Sequence, residues 1–193
     1  MDLVGPQNVR GRVRAHEVSD NGVWTPKTEF KSNLLLNQWA TIVAKLLTTG
    51  DARYRIGGMY LEFSNTASPG DPVSPPAFDR SRDINYYNDL AGSSNRDYLR
   101  VPMTGNQLLT DGADFKDNEI VFFARSSGTT GVHGKAFSDS VNSTIFGASL
   151  VAYVDNNDAT RDLLLSSMYL KVADQQQKLS TSQIGLEWQL IFQ

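Results

Sequence analysis

His16 and His133 are the two imidazoles in this 193-residue chain, and there is no cysteine. A zinc site takes about four ligands at characteristic spacing, and neither histidine has a partner at such spacing, so no metal, disulfide or cofactor is expected. His16 falls on a strand face, and His133 falls in the turn-like Gly131-Val132-His133-Gly134. Serine is abundant, but no Gly-x-Ser-x-Gly elbow presents one as a nucleophile. Ser127-Gly128-Thr129-Thr130-Gly131 lacks the Gly-Lys-Ser/Thr ending with which a phosphate loop touches phosphate and magnesium, and reads as a turn. Two acidic groupings, Asp111, Asp114, Asp117 and Glu119 and then Asp155, Asp158 and Asp162, offer oxygen ligands of the kind calcium takes. Neither follows the spacing of a calcium loop, and Asp and Asn are also the residues that turns prefer. Carboxylates paired in space for glycoside cleavage leave no mark in a sequence, so a hydrolase stands as a second alternative. No catalytic residue is assigned, and the chain is expected not to be an enzyme.

Residue types suited to contact are more pointed. Arg10, Arg12, Arg14 and His16 alternate with Val9, Gly11, Val13 and Ala15, which places the cations on one side of a strand. Such a face repels edge-to-edge pairing and suits an acidic partner surface. Tyr86, Tyr87 and Tyr98 form a polar-aromatic stretch able to stack on a sugar or to meet another protein. Arg10, Arg12, Arg14, Tyr86 and Tyr87 are therefore the expected interface residues, and a carbohydrate- or receptor-binding module is the first alternative function.

The elements that would position these groups are mostly strands. Val9 to Val18 alternates as a half-buried strand, Asn21-Gly22 marks a hairpin turn, and Thr28 to Leu36 reads as extended. One helix is predicted over 38–49. It has Asn37 as its cap, a Trp39/Val43/Leu46 stripe facing a sheet, and Gly50 in the left-handed position that ends it. Ile56 to Phe63 resumes strand character, with Gly57-Gly58 as a bulge or a place where another backbone comes close. Residues 64–97 lose periodicity and read as a loop excursion too long for a simple connection, hence functional. Segments 98–103, 119–124, 144–154 and 166–172 are strands separated by turns. Ile184, Leu186, Trp188, Leu190 and Phe192 then alternate with Gly185, Glu187, Gln189 and Ile191, predicting a closing strand with Leu186, Trp188 and Leu190 in the core. Together these predict an antiparallel, jelly-roll-like β-sandwich with one short amphipathic helix and long loops. Residues 1–18 are expected to form an N-terminal strand arm and 19–193 a single domain.

Composition fits a folded domain with a substantial core, at 40% hydrophobic and 20% charged residues. A net charge of −3 argues against nucleic acid as the main partner. No signal-peptide pattern opens the chain and no apolar run approaches the roughly 20 residues of a membrane span, so synthesis in a cytoplasm and no membrane association are expected.

Two segments carry a resemblance. Lys31-Ser32-Asn33-Leu34-Leu35-Leu36-Asn37 runs straight into Gln38-Trp39-Ala40-Thr41-Ile42-Val43-Ala44-Lys45-Leu46-Leu47, and the chain later presents Leu186-Glu187-Trp188-Gln189-Leu190-Ile191-Phe192. This resembles a broad group of small tailed-bacteriophage virion proteins. There an Asn-flanked apolar segment leads into a short helix, and the closing strand has the form Leu-x-Trp-x-Ile-x-Phe. The chain departs from that group over residues 56–65, where a more Ala- and Gly-rich strand and a short turn would stand. The resemblance implies a structural part of the tail, baseplate or fibre attachment, or a capsid decoration. It implies virion localisation after synthesis in the host cytoplasm, with copies of itself and other virion proteins as partners and no active site.

Overall fold

The computed structural model describes residues 9–66, 73–74, 77, 79–93, 95–103, 115–116, 119–126, 131–135, 137, 142–155, 157–177 and 182–192. Among the described residues it is mainly β, with two sheets of antiparallel strands and two α-helices, consistent with an antiparallel sandwich. The first sheet contains β1 (Val9–Ser19), β2 (Trp24–Pro26), β3 (Lys31–Ser32), β7 (Phe115–Lys116), β8 (Glu119–Arg125) and β12 (Ser182–Phe192). The second contains β4 (Leu34–Leu35), β5 (Ile56–Thr66), β6 (Arg96–Pro102), β9 (Asn142–Ala152), β10 (Leu163–Tyr169) and β11 (Gln176–Gln177). The strand orders are β2-β1-β12-β8-β7, with β3 also on β1, and β4-β10-β9-β5-β6, with β11 also on β9.

β1 pairs antiparallel with β12 along its whole length, from Val9 opposite Phe192 to Ser19 opposite Ser182. The alternation of β12 sends Leu186, Trp188 and Leu190 into the space between the sheets, at 3%, 0% and 1% exposure. Val13 and Ala15 of β1 meet them there, fully buried. The segment expected as an arm is thus, over its described residues, a central strand lying between β2 and β12. Val13 and Ala15 enter a core that an arm would leave intact, and this is the physical reason for the correction.

The helix α1 (Gln38–Thr49) closes one end of this core. Gly50 terminates it with φ 61°, and its N–H donates to the Leu46 carbonyl. Asn37 precedes it in helical backbone and makes no side-chain cap bond. Ile42 is the buried residue, with Trp39 and Leu46 partly buried beside it. Val43, about 100° further round the helix, is displaced from the centre of the stripe and only half-buried.

Residues 64–97 contain a second helix that periodicity did not reveal, α2 (Ile84–Gly92). Asp83 caps it by accepting from the Asn85 N–H, and Lys135 Nζ donates to the carbonyls of Ala91, Ser93 and Arg96 at its far end. Its inward residues Tyr87, Leu90 and Ala91 cover the outer face of the second sheet. The molecule therefore has a third layer. Beneath α2 lies a separate core rich in tyrosine, comprising Tyr60, Tyr87, Tyr98, Tyr153 and Tyr169 with Phe146, Val151 and Leu164.

Candidate functional site

The tyrosine layer ends at a cleft of about 660 Å³ beside the start of β5. Its walls come from the 3-10 turn Ala52–Tyr54, from the first residues of β5, from Pro102 at the end of β6 and Met103 after it, and from Tyr153 and Val154 after β9. Gly57 and Gly58 make this junction possible. A Cβ on Gly57 would stand 2.7 Å from the Tyr153 Cβ, and one on Gly58 would overlap the Tyr153 hydroxyl and the Val101 carbonyl. The β5–β9 register also shifts between Ile56 and Gly58. Both readings of the glycine pair hold, since it is a bulge and a place of close approach.

Onto the Tyr153 ring lies Arg100, its guanidinium carbon 3.7 Å from the ring centroid. Arg100 Nε and Nη2 each donate to Asp162 at 2.8 Å, and Nη2 donates to the Asp155 carbonyl at 3.0 Å. Asp162 is buried and also accepts from the Tyr60 hydroxyl. Burial raises the Asp162 pKa, and the bonds from Arg100 and Tyr60 work against that rise. Burial would lower Arg100, but its pairing with Asp162 carries its pKa above the ordinary value. A planar guanidinium gripped at two positions and laid on a ring has little freedom left, so Arg100 is a fixed cation.

Two further arginines line the same cleft. Asp51 accepts from Arg53 Nε and Nη2, and their hydrogen bond lowers the Asp51 pKa and raises that of Arg53. Arg55 is exposed; its backbone N–H donates to the Ala52 carbonyl, and its side chain has no hydrogen-bond or ion-pair partner among the described residues. No carboxylate lines the cleft among those residues. Its remaining ionisable group is Tyr153, whose pKa burial pushes up. The charged side chains that line the cleft among the described residues are those of Arg53, Arg55 and Arg100.

A second cluster is sealed beneath α2. Glu62 accepts from Tyr87 Oη at 2.6 Å and from Tyr86 Oη at 3.1 Å. Tyr169 Oη donates to Tyr86 Oη at 2.8 Å, and Tyr87 shares a hydrogen bond with Ser149, which shares one with Ser167. Arg82 lies 3.7 Å from the Tyr86 ring centroid and 4.7 Å from that of Tyr169. Burial drives Glu62 up to about 7 against the lowering effect of Tyr87, Arg82 and Tyr86. Tyr86 and Tyr87, expected on an interface, instead point into the protein. Tyr87 is fully buried and Tyr86 partly so, because their hydroxyls satisfy a carboxylate with no access to water.

The arginine row on β1 is also largely occupied from within. Arg12 Nε donates to Gln189, and Arg14 donates to Glu187 from Nε at 3.1 Å and from Nη2 at 2.5 Å. Both guanidinium carbons lie 4.4 Å from the Phe30 ring centroid. Arg10 remains exposed. The register explains this, since Arg12 faces Gln189 and Arg14 faces Glu187 across the β1–β12 ladder.

His16 is buried at 4% exposure, with Nε2 2.9 Å from Glu187 and its ring edge-on to Trp24. His133 is exposed, with Nδ1 3.3 Å from the buried Asp97. Of the acidic groupings, Asp155 pairs with Arg161 at 3.5 Å, Asp158 caps the turn Ala159–Arg161, and Asp162 turns inward. Asp111, Asp114 and Asp117 lie outside the described residues, as do residues 127–130 and the side chain of Glu119. Among the described residues no group of three His or acidic side chains is placed to hold a metal, and no helix is long and apolar enough to cross a membrane.

The cleft arginines went unnoticed in the sequence because Arg53, Arg55 and Arg100 are separated along the chain. The Gly57-Gly58 pair was their one local sign. Comparison with protein-family models, with curated proteins and with solved structures returns no match.

Proposed function

We propose that this chain is a non-enzymatic structural component of a tailed-bacteriophage particle, tail-associated or capsid-decorating. It would act through contacts with copies of itself and with other virion proteins in a symmetric assembly. The observation that carries this reading is the use made of buried charge. Glu62, Asp97 and Asp162 are all buried. Tyr87 and Tyr86 of α2 bond Glu62 of β5, Arg100 of β6 bonds Asp162 just before β10 of the same sheet, and Asp97 accepts from the Tyr98 and His133 N–H groups. These carboxylates are thereby committed to holding α2 on the second sheet and to tying parts of that sheet together, and a rigid body with its exterior left for neighbours suits a repeated assembly. The strands that carry the resemblance to phage virion proteins support the same reading.

Sedimentation and electron microscopy of the purified full chain, with binding to phage particles that lack it, test this. A closed oligomer or saturable binding to such particles is expected. A strictly monomeric species with no affinity for any particle would overturn the reading.

A further inference from the structure

We propose that the arginine-lined cleft is a binding site for a small organic phosphate. Arg53, Arg55 and Arg100 line one cleft that no described carboxylate lines, with Arg53 ion-paired to Asp51 and Arg100 to Asp162. A cation with its whole fork open, Arg55, standing beside two arginines whose Nε and Nη2 are held by carboxylates suits a tetrahedral oxyanion, which Arg55 can grip at two oxygens. Two of the three are already oriented. Asp162 and the Tyr153 ring fix Arg100, and Asp51 grips Arg53 at Nε and Nη2, so little side-chain entropy remains to be lost on binding. Arg55 supplies the charge that no described acid neutralises.

The volume identifies the rest of the ligand. At about 660 Å³ the cleft greatly exceeds a bare phosphate and falls within the range of about 300 to 1,000 Å³ typical of small-molecule sites. Ile56, Pro102, Met103 and Val154 give it an apolar wall beside Tyr153, a surface for the organic body of the ligand. Purpose is also visible in what supports the site. Gly57 and Gly58 leave room for Tyr153, Tyr153 carries Arg100, and Asp162 with Tyr60 holds Arg100 from behind. This inference is independent of a virion role, and either can fail without the other.

Isothermal titration of the full chain at low ionic strength, using phenyl phosphate with inorganic phosphate and phenol as its two halves, tests the site. Phenyl phosphate should bind more tightly than either half, weaken as salt is added, and move the Tyr153 ring signals in NMR. Arg55→Ala should weaken binding about tenfold, the loss expected for a charge-assisted contact. Arg125→Ala, an exposed arginine of the other sheet, should leave binding unchanged. Both positions are exposed, so both variants should melt as the parent does. The proposal is overturned by absence of heat and of Tyr153 shifts up to about 10 mM ligand, a concentration above any useful affinity. Unchanged affinity in Arg55→Ala, or equal affinity for phosphate and phenyl phosphate, overturns it as well.

Discussion

Arg100 holds both carboxylate oxygens of Asp162, with Nε 2.8 Å from Oδ2 and Nη2 2.8 Å from Oδ1. The Asp162 side chain is inaccessible to water, and that of Arg100 is 16% exposed. The pair links β6 to the start of β10 beneath the tyrosine layer and fixes the cation at the cleft.

Removing one partner of such a pair leaves the other charge without compensation. Asp162→Asn should lower unfolding stability by about 3 to 5 kcal/mol in urea titrations. Adding Arg100→Met to it should recover part of that loss. Fully additive losses in the double variant would show that the two side chains act separately.

Glu62 makes stability depend on pH in one direction. Its folded pKa is raised to about 7 from 4.5, so the folded state holds its proton more tightly than the unfolded chain does. Its contribution is fully present below pH 4.5 and is lost as pH rises through about 7. The loss is on the order of 3 kcal/mol at most. Glu62→Gln should flatten this slope between about pH 5 and about pH 8. A slope identical to that of the parent would place the titrating group elsewhere.

Glu187 acts in the opposite sense. Burial works to raise its pKa, but His16, Arg14 and Gln189 hold it down to about 2. Its contribution is present above 4.5 and disappears as pH falls through about 2. Acid unfolding of Glu187→Gln should show less pH dependence over that window, measured by circular dichroism at fixed temperature.

Trp188 is fully buried between the sheets. Trp188→Ala should cost about 3 to 5 kcal/mol, and an unchanged melting point would contradict its placement. Deleting residues 1 to 18 should abolish cooperative melting, because it removes nearly all of β1 from between β2 and β12. A truncated chain that still melts sharply would restore β1 to the status of an arm.

Gly58→Ala would drive a methyl group into the Tyr153 hydroxyl and the Val101 carbonyl. A loss of about 1 to 3 kcal/mol is expected, with displacement of Tyr153 visible in its ring signals. Since backbone forms part of the obstruction, Tyr153→Phe added to Gly58→Ala should relieve only part of the loss.

Much of the architecture follows from local pattern. The alternation from Ile184 to Phe192 fixes the face on which Leu186, Trp188 and Leu190 are buried, because successive strand residues point to opposite sides. The helix over 38–49 is equally legible, with Gly50 at its left-handed end and apolar residues at helical spacing. In α2 the corresponding signal was present as Asp83 followed by Ile84, Tyr87, Leu90 and Ala91 at three- and four-residue intervals. Polar tyrosines and the surrounding proline-rich segments obscured it.

The strand class, the main helix and the residues that turn inward follow from neighbours a few positions apart along the chain. Which charges meet was left to the folded arrangement. It set Glu187 opposite Arg14, drew Tyr86 and Tyr87 down onto Glu62, and gathered Arg53, Arg55 and Arg100 around one cleft. Backbone periodicity repeats over a few residues and can be read along the chain. Electrostatic partnership depends on distance in space, which is settled only when strands far apart in sequence take their register.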